Sequence, residues 1–209
     1  MVRRRKASRH TQALMKALLL PLALAACLAL PGNVKAQQCQ DSLGAFPAVA
    51  AINAPDPAVR FAIMDLVSRY NWTRDDQVSA GITDMFTDDV VYELCAAGGS
   101  IQIESRTGSG EVASYLGDLS TFLSGHNLRT RHFVGNQLFH QDPANEDRVL
   151  AKMAVLVLLQ PAYPESPVLD YTATLKAEFL RDANGDWKFN VLTNLGDTPA
   201  PPDSAARGR

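Results

Sequence analysis

A strand-length run near the carboxyl end of the chain alternates strictly between apolar and polar side chains. Between residues 169 and 181 the apolar members are Tyr171, Ala173, Leu175, Ala177 and Phe179, and the polar members are Thr172, Thr174, Lys176 and Glu178. Because successive side chains of a β-strand point to opposite faces of the sheet, this pattern predicts a strand with one buried face and one wet face. The chain must therefore build a sheet whose two faces differ.

Three further strand candidates accompany this run. They span residues 129–141, 148–160 and 186–193, and the last of them follows the sequence Asp182-Ala183-Asn184-Gly185. A short turn signal of this kind between two strands is typical of a β-hairpin. Together the four segments predict a mostly antiparallel sheet.

The residues that precede this sheet carry a helical period. Asp56 and Pro57 indicate the start of a helix that runs to about residue 72, with Val59, Ile63, Val67 and Tyr70 on one stripe. A second helix is predicted from the capping residues 73–76 to residue 87, and a third begins at Ser109. Short strands are expected at 90–95 and 101–105. This order predicts an α+β domain in which three helices cover one face of a curved sheet and leave a concave, apolar pocket.

The amino-terminal residues have the features of an export signal. Residues 3–9 are basic, residues 17–30 are apolar, and small residues lead up to Ala36. We expect cleavage after Ala36, which makes residues 1–36 a signal peptide and the mature protein periplasmic. The apolar run of 14 residues is short for a membrane-spanning helix. An uncut membrane anchor and a lipoprotein attached at Cys27 are the alternatives.

Composition divides the remainder into three parts. Residues 37–55 show neither period and are expected to form an arm, and residues 56–196 form the folded domain. Residues 197–209 contain three prolines and no apolar side chain larger than alanine, so a disordered tail is expected there.

The charge of the mature chain limits its partners. The whole chain has a formal charge of −2, but residues 37–209 hold 13 basic and 22 acidic side chains, a charge of −9. A domain with this negative charge repels phosphate backbones and anionic lipid. Nucleic acid and membrane surfaces are therefore not expected as partners. A small neutral or apolar molecule is the expected ligand.

Cysteines and histidines give no metal-binding pattern. Cys39 and Cys95 are the cysteines of the mature chain, and its histidines are His126, His132 and His140. Their spacing lacks the pairs typical of zinc ligands, so no metal is predicted. In an oxidising compartment Cys39 and Cys95 are either a disulfide or two free thiols, and sequence separation does not decide between them.

Four short motifs carry a resemblance to a known family. They are Leu66-Val67-Ser68-Arg69-Tyr70, Asp75-Asp76, Phe86-Thr87-Asp88-Asp89-Val90-Val91-Tyr92 and Thr130-Arg131-His132-Phe133-Val134-Gly135-Asn136. With the order of the elements, they resemble the SnoaL-like family of the nuclear-transport-factor-2-like superfamily. The resemblance implies a cone-shaped α+β barrel with a ligand pocket between the sheet and the first helices. Its members include polyketide cyclases, scytalone dehydratase, a dehydrochlorinase and proteins of no known activity, and many of them dimerise through the outer sheet face.

The resemblance also implies a pair of catalytic residues. In dehydratase and dehydrochlorinase members an aspartate and a histidine act together, and Asp75 and His132 occupy the matching positions. Two positions depart from the dehydrochlorinase, because Tyr70 replaces a basic residue and Leu192 replaces an arginine. An identical substrate is therefore not expected.

Residue chemistry supports the same pair. A histidine accepts protons near neutral pH, and a carboxylate at a helix amino terminus remains ionised and orients the ring. Tyr70 is a candidate hydrogen-bond donor to the substrate, and Tyr92 and Asn136 are candidate substrate-binding residues. The structural alternatives are a core histidine bonded to a backbone carbonyl, an aspartate that only caps the second helix, and a tyrosine that only packs.

These observations give three functional hypotheses. The first is a cofactor-independent lyase or isomerase that acts on a small hydrophobic, aromatic substrate. The second is a ligand-binding or association domain without activity. The third is a hydrolase, which requires Asp76 or Glu93 to face inward beside Asp75.

Overall fold

The computed structural model describes residues 38–161 and 165–197. Its two helices and six strands are α1 (Pro57–Asp75), β1 (Phe86–Ala96), β2 (Ile101–Thr107), α2 (Ser109–Gly125), β3 (Arg129–Gln141), β4 (Arg148–Gln160), β5 (Val168–Arg181) and β6 (Trp187–Gly196). The predicted signal peptide and the predicted tail beyond Asp197 lie outside the described residues. Within the described ranges, no helix combines the length and apolarity needed to cross a membrane.

One mixed sheet contains all six strands, in the order β2-β1-β6-β5-β4-β3. Every neighbouring pair is antiparallel except β1 and β6, which run parallel. Helix α1 packs against β3 and β6, and α2 packs against β1 and β2. The result is the predicted α+β fold, a curved, cone-like sheet with its helices on the concave side.

Helix α1 begins where the sequence predicts and ends later. The Asp56 carboxylate accepts a hydrogen bond of 2.8 Å from the Ala58 N–H, and Pro57 occupies the first helical position. The inward face buries Ile63, Leu66, Val67 and Tyr70. These side chains pack into a core that also contains three phenylalanines of the sheet. The ring centroid of Phe189 lies 5.7 Å from that of Phe86 and 4.8 Å from that of Phe179. The helix is thereby held against the concave face over its whole length.

The predicted second helix is absent, so two helices and not three cover the sheet. Gln77 and Gly81 adopt positive φ angles of 58° and 75°, a left-handed conformation that interrupts a helix. A single 3₁₀ turn, Thr83–Met85, remains, and β1 begins directly after it. Among the apolar side chains between α1 and β1, Ile82 is buried, Met85 is half-buried and Val78 is exposed.

The amino-terminal arm lies across the outer face of the sheet. Cys39 forms a disulfide with Cys95 of β1, with 5.9 Å between their Cα atoms. Ser42 donates hydrogen bonds from its N–H (3.0 Å) and its hydroxyl (3.1 Å) to the buried Glu93 carboxylate. Farther along the arm, the Asn53 carbonyl accepts a bond of 2.7 Å from the Gln141 N–H of β3. The arm therefore crosses from β1 to the opposite edge of the sheet.

An ion pair fastens the middle of the arm to β5. The Lys176 ammonium lies 2.6 Å from the Asp41 carboxylate and also donates to the Gly44 carbonyl. Lys176 belongs to the alternating polar face that the sequence assigns to water, yet it is buried. The sequence predicts the arm but not its position, and the arm here covers a face that was expected to contact water.

Loss of the disulfide is expected to loosen the arm and lower stability. The bond closes a loop of 56 residues in sequence separation, and a native disulfide of this kind typically contributes about 2 to 4 kcal/mol. Replacing both Cys39 and Cys95 with serine should lower Tm by roughly 5 to 15 °C, measured by circular dichroism at one scan rate. Each single serine variant should match the double one, and an unchanged Tm in the double variant would contradict the expectation.

Candidate active site

The end of α1 and the start of β3 meet at one pair of side chains. His132 Nδ1 lies 2.5 Å from Asp75 Oδ1, and the His132 backbone N–H donates to Asp75 Oδ2 at 2.9 Å. The Thr130 hydroxyl donates a third bond, of 2.9 Å, to Asp75 Oδ1. Both partners of the pair are buried, with 1% of the His132 side chain and 5% of the Asp75 side chain exposed. The contact places the ring proton on Nδ1 and leaves Nε2 as a hydrogen-bond acceptor.

Asp75 occupies a different part of the secondary structure from the one predicted. It is the last residue of α1, and Asp76 follows as the helix C-cap. A carboxylate there lies at the negative end of the helix dipole, so the helix does not favour its ionised form. Burial raises the pKa of Asp75, but the His132 ring, the His132 N–H and the Thr130 hydroxyl outweigh burial and hold this pKa below its usual range. Hydrogen bonds from β3, and not a helix amino terminus, keep Asp75 charged.

The environment of His132 favours its neutral form. Burial and the Arg74 guanidinium lower the pKa of His132, and the bond to Asp75 raises it. Burial and Arg74 dominate, so this pKa falls to about 4. The ring is therefore a neutral acceptor throughout the physiological range, although a weaker base than free histidine.

Nε2 of His132 faces a recess between α1 and the concave side of the sheet. This recess is narrow, with free space for about one water molecule, and is lined by Tyr70, Asn71, Arg74, Tyr92, His132, Val155, Leu175, Leu192 and Asn194. Nε2 of His132 and Oδ1 of Asn194 are both buried and have no hydrogen-bond partner among the described residues. Two acceptors are thus available to a bound molecule.

Tyr70 and Tyr92 both lie at this recess, where the sequence analysis expected them. Each is 2% exposed, and burial raises the pKa of both hydroxyls. They are protonated at neutral pH and so can donate hydrogen bonds. Tyr70 also packs edge to face on Phe86, with ring centroids 6.0 Å apart. Its ring is part of the core while its hydroxyl edge is part of the recess.

Asn136 does not belong to the site, contrary to the sequence prediction. The pairing of β3 with β4 shifts between Gly135 and Leu138, and Asn136 has a φ of 47° in this bulge. Regular alternation would have placed Asn136 on the same face as His132, but an extra residue breaks that alternation. The side chain is exposed on the rim of the sheet and absent from the lining of the recess.

Sequence reasoning missed three polar residues of the site. Thr130 shares strand parity with His132, which is the signal that could have identified it. Arg74 follows Tyr70 by one helical turn, and its guanidinium carbon lies 5.6 Å from the centre of the Tyr70 ring. Asn194 gives no such signal, because only the parallel pairing of β6 with β1 brings its strand to this position. Leu192, at the position where the dehydrochlorinase has an arginine, is an apolar wall of the recess.

The carboxylates that a hydrolase would need lie elsewhere. Asp76 is exposed beyond the end of α1, and Glu93 is bonded on the outer face to Ser42 and, at 2.7 Å, to the Thr193 hydroxyl. Neither lines the recess beside Asp75. In the described part of the chain, no three metal-ligating side chains cluster together.

Comparison with solved structures shows the same fold in proteins of low sequence identity. ActVI-ORFA from Streptomyces coelicolor matches with a TM-score of 0.58 and 16% identity over 70% of this chain and all of that one. The beta subunit of a candidate aromatic-ring-hydroxylating dioxygenase from Novosphingobium aromaticivorans matches with a TM-score of 0.55 and 20% identity, over 68% of this chain and 91% of that one. A candidate scytalone dehydratase from the same organism matches with a TM-score of 0.51 and 16% identity, over 66% of this chain and 84% of that one.

A comparison with protein families gives a more specific result. No curated protein matches the chain. The sequence profile of the SnoaL-like domain matches residues 58–193, which span α1 and most of β6. The match covers well over half of the chain and nearly all of the folded domain, so this protein belongs to the SnoaL-like domain family.

Proposed function

We propose that this protein is an exported, cofactor-independent lyase or isomerase in which His132 is the general base. The observation that carries the proposal is the buried contact between His132 Nδ1 and Asp75, which leaves Nε2 without a partner and facing the recess. A neutral imidazole in this tautomer is arranged to accept a proton from a bound molecule. Asp75 holds the ring in place and stabilises the imidazolium that forms.

The chemistry is a proton abstraction from carbon. Nε2 accepts the proton of a C–H bond next to an activating group, and the electron pair left behind forms a double bond. In an elimination a hydroxyl group leaves with its bonding pair and takes up the proton held by the His132 imidazolium, so that water departs and the ring is neutral again. In an isomerisation His132 returns the proton to another carbon. The Tyr92 hydroxyl interacts with the Tyr70 hydroxyl, and the protonated Tyr70 hydroxyl is placed to donate a hydrogen bond to the oxygen on which negative charge develops.

The walls of the recess and the family favour a small hydrophobic substrate. Val155, Leu175 and Leu192 supply apolar surface of the same recess. Members of the SnoaL-like family bind small hydrophobic ligands. Two of the similar solved structures are named as a candidate scytalone dehydratase and as part of a candidate aromatic-ring-hydroxylating dioxygenase, and these names support an aromatic substrate.

Export is supported by the Cys39–Cys95 disulfide, since such bonds persist in oxidising compartments. We therefore propose the bacterial periplasm as the location, after cleavage at Ala36. A homodimer through the outer sheet face stays a prediction. Because the arm lies on that face, a dimer interface there would have to include the arm.

Substitution of the pair is expected to abolish most of the activity. On any aromatic substrate that the enzyme converts, His132→Ala should lower kcat/KM by roughly a hundred-fold or more, because removal of a general base typically costs that much. Asp75→Asn should lower it as well, because a neutral amide does not stabilise the imidazolium. His126→Ala, which removes an exposed histidine outside the recess, is the matched control.

The outcome of this experiment separates the hypotheses. Wild-type turnover in both His132→Ala and Asp75→Asn would exclude the general-base mechanism. Ligands that bind tightly to the wild-type protein but are never converted would favour a binding domain of the same fold.

The pH dependence of kcat/KM is expected to report His132. Only the neutral ring accepts a proton, and its pKa is lowered to about 4, so activity should persist below pH 6.5 and fall with a midpoint near 4. Asp75→Asn removes the partner that raises this pKa and should move the midpoint lower. A wild-type midpoint at or above 6.5 would contradict the lowered pKa of His132. An unchanged midpoint in the Asp75→Asn variant would show that Asp75 does not act on the catalytic base.

Folding has to be monitored in the same range of pH. The folded chain keeps His132 neutral while the unfolded chain protonates it below about pH 6.5. The unfolded state therefore binds more protons as the pH falls from about 6.5 to 4, and the stability contributed by neutral His132 is lost over this window. Circular dichroism at each pH distinguishes unfolding from titration of the base.

A further inference from the structure

Arg74 differs from the other buried or half-buried arginines of the described chain. Ion pairs with carboxylates hold each of the others, which are Arg106, Arg131, Arg148 and Arg181. Arg74 is half-buried at the end of α1, yet it forms no ion pair with any residue that the structure describes. The neighbouring carboxylate of Asp75 is occupied by His132 and Thr130. A guanidinium without a counterion in such a place is costly unless an anion joins it.

The surroundings of Arg74 consist of apolar and phenolic groups. Its guanidinium lies over the Tyr70 ring and interacts with the Tyr70 hydroxyl, which leaves other N–H donors free. Arg74 lines the recess of His132 and also a second, narrow outer recess, which lies between the end of α1, the turn after it and α2. The outer recess is mostly apolar and includes Val78, Ile82, Leu116, Leu119 and Leu123. The cation therefore stands where the two recesses meet.

The groups around the inner recess are complementary to an acid with an apolar body. Arg74 supplies a positive charge and a planar set of donors suited to a carboxylate. In the same recess, His132 Nε2 and Asn194 Oδ1 are buried acceptors without partners among the described residues. Val155, Leu175 and Leu192 supply its apolar walls. A ligand that satisfies this pattern carries an oxyanion at one end and a proton to give at the other.

We propose that Arg74 is the anion-binding residue of this site and that the ligand is a small aromatic or alicyclic acid, a carboxylate or a phenolate, rather than a neutral hydrophobic molecule. The oxyanion binds the Arg74 guanidinium, the ring packs on the apolar walls, and the proton to be removed faces His132. This deepens the proposed function by naming its substrate class. Binding of the acid itself does not depend on whether His132 is catalytic.

Matched pairs of anionic and neutral probes test this assignment. Benzoates, naphthoates and dinitrophenolates, which are all ionised at pH 7.5, are compared at that pH with their carboxamides and methyl ethers, by calorimetry and by the NMR shifts of the His132 ring. In the wild-type protein the anion of each binding pair should bind more tightly. Arg74→Gln should weaken the anion roughly ten- to a hundred-fold, as expected for loss of a charged hydrogen-bond partner, and leave the neutral member unchanged.

Two further arginine variants control for charge and for folding. Arg60 also lies over an aromatic ring, that of Phe139 at 5.3 Å, but it is exposed and lines neither recess. Arg60→Gln therefore makes the same change in charge and should leave anion binding intact. Arg74→Lys keeps the charge without the planar fork and should retain part of the anion preference, even where the glutamine variant folds poorly.

The results separate this proposal from the proposed function. Equal affinity for anionic and neutral probes in the wild-type protein, or anion binding unaffected in Arg74→Gln, overturns the assignment of Arg74. His132→Ala should keep the anion preference while it loses turnover. If His132→Ala instead keeps turnover, the mechanism fails while the anion site stands.

Discussion

The contact between Asp75 and His132 joins the helical layer to the sheet and defines the chemistry of the site at once. Asp75 ends α1, where the helix dipole disfavours a carboxylate. Three donors from two residues of β3 stabilise it there, through bonds of 2.5 to 2.9 Å. The end of the helix is thus attached to the strand that carries the base. A shift of either element would leave a buried charge without its partners, which typically costs several kcal/mol, so the geometry of the pair is maintained by the fold itself.

Local pattern predicts the sheet well and the site only in part. The bounds of β3 and β4 agree with the sequence prediction, and the buried side chains of β4 keep a period of two along the strand. The predicted second helix fails where Gln77 and Gly81 take left-handed conformations, and Asn136 leaves the site through a bulge. Both departures depend on backbone angles that apolar spacing does not encode. Arg74 escaped notice for another reason, since its lack of a counterion is visible only once the neighbours of the folded chain are known.

The outer face of β5 carries polar side chains, yet part of it is buried beneath the amino-terminal arm. Alternation along β5 correctly separates polar from apolar side chains, but polar does not mean exposed here, because the arm covers Lys176 and Glu93. Each buried charge is met by a group of the arm or of a neighbouring strand. The disulfide at Cys39 fixes one end of this cover, and the bonds of Asn53 to β3 fix the other. The arm and the recess occupy opposite faces of the sheet, so the outer face can be covered without closing the site.

The weakness of His132 as a base is the remaining constraint on the mechanism. Asp75 and Arg74 are adjacent in sequence and act on the ring in opposite directions, one raising its pKa and the other lowering it with the help of burial. A ring with a pKa of about 4 drives proton abstraction poorly. An anion bound on Arg74 offsets the positive charge that lowers this pKa, and it brings a negative charge toward the ring, so both effects strengthen the base. The substrate class inferred for the site would therefore activate His132 as it binds, and a neutral molecule in the same recess would leave the base weak.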